Sequence, residues 1–187
     1  MEKAIHALSH RGQRAFAAAL AARMLPNFQL FAEVVELDNA AQLKASLDTA
    51  WEKLLDPKAR IGFEKQLEKV AELEPDPAAY DMYGVYPALN AVLAVQAVLS
   101  GMMDKDENPA LDVSRLSRGT VQDYLNALAG AELADEALDE EPLWQAERDF
   151  QETLLALLEG EPGKEEVRQA RQLGRNEDIS NIGISLS

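Results

Sequence analysis

The sequence has no cysteine, which excludes disulfides, thiolate catalysis, iron–sulfur clusters and every zinc site built on thiolates. Histidine is nearly as scarce. With only His6 and His10 present, a histidine triad or metal site would have to lie near residue 10. Positive charge is also in deficit: eighteen Lys and Arg face thirty-three Asp and Glu, for a net charge of -15. Nucleic acid is bound through a basic footprint, so no direct nucleic-acid binding is expected. No apolar run reaches the roughly 20 residues of a membrane span, and the mean hydropathy is -0.24; no membrane association is expected. Met1–Leu8 shows no apolar stretch behind a basic one, so no export signal is read. Together with the missing cysteines this points to the cytoplasm.

What is present is enough to fold. A chain of 187 residues that is 47% apolar buries about 70% of its unfolded surface and needs no covalent staples. Apolar spacing is helical along most of it. Leu43, Leu47, Ala50, Trp51 and Leu54 form one stripe; Phe63, Leu67 and Val70 a second; Val121, Tyr124, Leu125 and Leu128 a third; Leu143, Phe150, Leu154 and Leu157 a fourth. Prolines preceded by Asp56, Asp76, Asn108, Glu141 and Glu161 mark starts and turns between them. The pattern predicts an all-α, single-domain bundle of seven to nine helices over residues 1–187.

Ala88–Met103 has only Asn90, Gln96 and Ser100 as polar residues. A helix apolar on all sides is buried on all sides, so this segment is expected at the centre, with the Ala-rich Ala15–Ala22 approaching it closely. Residues 176–187 carry Ile179, Ile182 and Ile184 without helical signals, and are read as an extended tail docked on the body.

Several motifs fail on inspection. Asp104, Asp106 and Asn108 imitate the start of a calcium loop, but Pro109 stands where glycine is needed and Arg115 where glutamate is needed. Gly160-Glu-Pro-Gly163-Lys164 is two residues short of a phosphate-binding loop, and Glu165 replaces the magnesium-binding hydroxyl. His6 and His10 have a one-turn spacing, but no third ligand is indicated. No metal and no cofactor are expected.

Charge is segregated. The first 69 residues carry ten basic and nine acidic groups, whereas Glu132–Glu166 alone has thirteen acids against Arg148 and Lys164. Such a segment is either a surface for a basic protein partner or a solvated face that keeps the chain soluble. A homo-oligomer is compatible with the sequence, which does not fix the oligomeric state.

Three polar features stand out. Glu147 falls on the fourth apolar stripe, Asn90 lies within the apolar helix, and Asp81-Met-Tyr83-Gly-Val-Tyr86-Pro87 places an acid and two phenols just before it. Asp81, Tyr83, Tyr86, Asn90 and Glu147 are the candidate cluster. They either satisfy one another inside the core or line a polar pocket with general acid–base capacity.

At these residues the chain resembles a known family. Arg23-Met-Leu-Pro26-Asn27, Phe31, Trp51, Gln66-Leu-Glu-Lys69, Asp81-Met-Tyr83-Gly84-Val-Tyr86-Pro87-Ala88, Glu147-x-Asp149-x-Gln151 and Ser180-Asn181-Ile-Gly-Ile184 are similar to the YjaG-like bacterial proteins, a domain of unknown function numbered 416. The resemblance spans about residues 10–185 and implies an all-helical fold in a bacterial cytoplasm. It marks Arg23, Asn27, Trp51 and Asn181 as further motif residues, but supplies no activity, cofactor or catalytic residue. The functional expectation is a non-enzymatic acidic interaction or regulatory protein; the alternative is a small-molecule binder or enzyme using the carboxylate and tyrosine cluster.

Overall fold

Five alanines between Ala15 and Ala21 leave one stretch of helix thin on every face except that of Phe16 and Leu20, so neighbours can approach it closely there. The computed structural model describes residues 1–104 and 107–185, and among these it places nine α-helices and no strand. They are α1 (Glu2–Ala7), α2 (His10–Val34), α3 (Ala41–Leu55), α4 (Phe63–Ala71), α5 (Val85–Met103), α6 (Pro109–Ala129), α7 (Asp135–Glu140), α8 (Pro142–Leu157) and α9 (Lys164–Arg175). Of the calcium-loop imitation, Asp106 lies outside the described residues, as do Leu186 and Ser187 of the tail.

The centre is a pair of helices. α5 is the apolar helix expected there, beginning three residues earlier than Ala88, so that Pro87 sits inside its first turn. No residue from Pro87 to Ser100 is fully open to solvent. At nineteen residues it is long and apolar enough to cross a membrane, but its surface packs on α2, α3, α4 and α6. α2 shares the centre and touches α3, α5, α6, α8 and α9. Its alanines from Ala15 to Ala21 are fully buried. Opposite them, a Cβ on Gly174 would stand 2.8 Å from the Ala19 carbonyl oxygen, so only glycine lets α9 lie this close to α2. Trp51 of α3 is fully enclosed, and truncating such a side chain costs about 3–5 kcal/mol.

Helix boundaries follow local chemistry. The Ser9 hydroxyl accepts from the Gly12 N–H at 3.2 Å and caps α2, and Asn108 accepts from the Ala110 N–H at 3.1 Å ahead of Pro109 in α6. α6 stops at Gly130, whose φ of 68° is open to glycine. Leu8 is extended between α1 and α2, so His6 and His10 are on different helices, both exposed. Their sequence spacing therefore does not become one helical turn. Pro26 falls within α2 without ending it; lacking an N–H, it leaves the Ala22 carbonyl without its intrahelical donor.

The third stripe differs from expectation at its end. Val121 and Leu125 are buried with Leu138 and Ile182 in a small second core, Tyr124 packs at its edge, and Leu128 is 66% exposed. The tail docks, as its isoleucines suggest, but it is not extended throughout. Asn176–Asp178 form a left-handed turn with φ of 45°, 53° and 60°. Beyond it the Ser180 N–H donates to the Ile184 carbonyl at 2.8 Å, closing a tight loop around Gly183, whose φ is 82°.

Candidate functional site

The inward face of α8 reads Glu147, Gln151, Leu154, Leu158, the last just beyond the helix, and all four are fully buried. The first two are polar, so their helix must meet partners rather than packing alone. α2 supplies Arg23 and, one turn on, Asn27. α6 supplies Ser114 and Ser117, and the docked tail supplies Asn181. Four segments distant in sequence thus meet at one polar cluster.

An Arg23 Nη1 donates to Glu147 Oε2 at 2.8 Å, and Gln151 Nε2 donates to Glu147 Oε1 at 2.7 Å. Ser114 Oγ donates to Gln151 Oε1 at 2.6 Å. Ser117 stands close enough to the Glu147 carboxylate to favour its charged form. Its hydroxyl and backbone carbonyl accept from Asn181 Nδ2, each at 3.1 Å, and Asn181 Oδ1 accepts from Asn27 Nδ2 at 2.9 Å. The Arg23 guanidinium lies 4.3 Å from the centroid of the Phe150 ring, a cation–π contact in addition to its ion pair.

Burial dominates the electrostatics. Removal from water pushes the Glu147 carboxyl above its ordinary value, opposed by the Arg23 charge and then by the Gln151 and Ser117 hydrogen bonds. The same desolvation lowers Arg23, opposed by Glu147. Satisfaction is incomplete: Arg23 Nε, Asn27 Oδ1 and Arg118 Nε are buried without a partner.

As chemistry this is a closed unit. A general acid or base must reach its substrate directly or through one water, and Glu147 is 0% exposed. Of five recesses on the surface of the described residues, none is lined by Glu147 or Arg23. The recess beside Trp51 is about 50 Å³ and includes Asp48, which is held by Lys44 at 3.0 Å and Arg171 at 2.9 Å. Among the described residues no three His, Asp or Glu side chains converge as metal ligands would.

The five residues singled out in the sequence do not form one group. Glu147 is in the core with Arg23. Asn90 donates to Thr120 Oγ1 at 3.0 Å, which in turn donates to the Leu116 carbonyl at 2.8 Å, joining α5 to α6. Asp81, Tyr83 and Tyr86 are exposed. They precede or open α5, where solvent rather than Glu147 meets their polar atoms. The structure instead joins Glu147 to Arg23, Asn27 and Asn181, three residues noted only for their resemblance, while Trp51 lies apart as core. Gln151 enters the sequence reading only within the family motif, and Ser114 and Ser117 are missed. Their signal was available: Ser114, Ser117 and Val121 recur at helical spacing on a single face of α6.

A family model described as "Protein of unknown function (DUF416)" matches residues 1–185. A curated relative from Escherichia coli K12, "Uncharacterized protein YjaG", is 35% identical over 172 residues, covering 90% of this chain and 88% of the relative. Its Salmonella typhimurium counterpart is 34% identical over 173 residues, covering 91% and 88%. An uncharacterised protein of Haemophilus influenzae is 36% identical over 174 residues, covering 90% and 88%. The crystal structure of a DUF416 family protein from Shewanella baltica superposes with a TM-score of 0.91 at 37% identity, covering 98% of this chain and 97% of that one. By sequence along its length and by fold, this chain belongs to the DUF416 family.

Proposed function

We propose that the protein is a non-enzymatic interaction or regulatory protein of the bacterial cytoplasm, engaging a basic partner through residues 132–166. The observation that carries this reading is the sealing of Glu147. The carboxylate best placed for acid–base work is paired with Arg23 and shut from solvent, while the tyrosines that were to complete a pocket face outward elsewhere. The remaining chemical asset is surface charge. Glu132, Asp135, Glu136, Asp139 and Glu140 are all exposed around α7. Asp139 is partly engaged, accepting from Arg148 at 2.8 Å and from the Trp144 indole at 3.2 Å.

The test is capture from a bacterial lysate by the intact protein, followed by a salt gradient. Exposed charges are screened beyond about 8 Å at physiological ionic strength, so a partner held by this segment elutes between low and moderate salt. Neutralising Glu136, Asp139 and Glu140 together should abolish capture. Capture unchanged by the triple substitution, or retained at high salt, would return the segment to a solvating role.

A further inference from the structure

The tyrosines left out of the core form a group of their own. Tyr83, in the turn before α5, lies 6.0 Å from Tyr86 and 6.1 Å from Tyr124 of α6, centroid to centroid, with rings tilted at 52° and 46°. Two of the rings are partly open to solvent, Tyr83 at 38% and Tyr86 at 52% exposed, and Leu128 stands one turn beyond Tyr124 in solvent; Tyr124 itself is half-buried. Tyr80, three residues before Tyr83, shows the alternative, with its ring edge packed on Phe31 at 5.0 Å.

The flanking sequence carries charge of one sign. Residues 70–104 and 119–147, which contain all three tyrosines, include no Lys, Arg or His. Asp81, two residues before Tyr83, and Asp123, one before Tyr124, are exposed, and Asp123 is near enough to act on the Tyr83 phenol. The Tyr83 phenol is pushed up to about 12, first by burial and then by the nearby Asp123 charge and Tyr124. Aromatic faces attract cations through their quadrupole, and carboxylates at the rim add Coulombic attraction for the same charge. A flat guanidinium can stack on a ring while its edge donates to a carboxylate, which an ammonium cannot do as well. The core already contains that combination, in Arg23 over Phe150 with Glu147 at its edge. The patch is also continuous with the acidic region, since Tyr124 packs against the second core that Leu138 of α7 completes.

We propose that Tyr83, Tyr86 and Tyr124, with Asp81 and Asp123, form a docking site for an arginine side chain on a basic protein segment. This rests on the reading of the protein as a binder of basic partners and gives that partner a specific residue.

The experiment uses the full chain and two labelled probes, a hexa-arginine and a hexa-lysine peptide, at about 150 mM salt to limit general attraction. Fluorescence polarisation should show several-fold tighter binding of hexa-arginine. Nuclear magnetic resonance should place the shifts on the rings of Tyr83, Tyr86 and Tyr124. Tyr86→Ala should weaken hexa-arginine about 3- to 30-fold, Tyr86→Phe should restore it, and Asp123→Asn should weaken it at least twofold. Both positions are exposed, so folding is not at stake. Equal binding of the two peptides, or of wild type and Tyr86→Ala, overturns the proposal. Should hexa-arginine instead respond only to neutralisation of Glu136, Asp139 and Glu140, the tyrosine site fails while the acidic-surface reading stands. Loss of lysate capture in Tyr86→Ala alone would have the opposite meaning.

Discussion

Arg23 and Glu147 are 124 residues apart in the chain and meet at 2.8 Å, with 7% and 0% of their side chains exposed. The pair joins α2 to α8 through the interior. Taking two charges out of water is costly, and mutual attraction offsets that cost only with good geometry and added hydrogen bonds. Gln151 supplies such a bond to the carboxylate, and Phe150 supplies a face to the guanidinium.

Removing one partner should therefore be worse than removing both. Glu147→Leu extends the apolar face of α8 but leaves Arg23 charged and unpaired, and is expected to cost about 3–5 kcal/mol. The double variant Arg23→Met with Glu147→Leu should be more stable than Glu147→Leu alone. Urea unfolding of the three proteins provides the measurement. A gain in stability from Glu147→Leu alone would show that the pair is held for a purpose other than the fold.

The pair also sets a pH dependence. Because burial raises the folded pKa of Glu147 above its ordinary 4.5, the folded state holds this proton more tightly than the unfolded state. Its contribution is fully present below the unfolded pKa and is lost as pH rises through the raised folded value. The melting temperature of wild type relative to Glu147→Gln should accordingly fall as pH increases above about 4.5. The reverse trend would mean that Arg23 outweighs desolvation.

Asn181 links the tail to two helices through three hydrogen bonds. Asn181→Ala would strand Asn27 Nδ2 and remove a donor from Ser117, and each stranded buried group costs about 1–3 kcal/mol. A loss of about 2–4 kcal/mol is expected. Hydrogen exchange should show faster opening at Ser180–Ile184 and at Ser117. If Asn27→Ala and Asn181→Ala prove fully additive in a double-mutant cycle, the two amides are not coupled as the geometry requires.

Gly174→Ala is a one-methyl test of the α2–α9 contact. Its Cβ would fall 2.8 Å from the oxygen and 2.9 Å from the Cα of Ala19, both backbone atoms that cannot rotate away. Overpacking of this kind costs about 1–3 kcal/mol, although alanine is the better helix former by roughly 1 kcal/mol. A lower melting temperature is expected. An increase would show that α9 can move off α2 freely.

The limits of the sequence reading are physical. The face of α3 was legible in full: Leu43, Leu47, Ala50, Trp51 and Leu54 are all buried, because an amphipathic helix records its own orientation locally. Glu147 could be recognised as misplaced for the same reason. Its partner could not, since periodicity says which way a residue faces but not which distant helix it meets. Asn90 looked equivalent to Glu147 because both interrupt apolar surfaces, yet an adjacent threonine satisfies one and a distant arginine the other. Leu128 shows the converse failure. It continues the stripe of α6, but the helix runs on past the elements that could cover it.

The position of Asn181 also bears on synthesis. It follows every helix it ties together, and Asn27, its partner, emerges 154 residues earlier. At roughly 5–20 residues per second, translation separates the two by about 8–30 s. For that interval α2 is complete but lacks the group that completes its polar face, and until α8 follows, Arg23 has no counter-charge. A nascent chain of this protein thus displays a cationic, alanine-rich helix before the acidic half exists to cover it, and this is when it is most open to capture by chaperones or to aggregation.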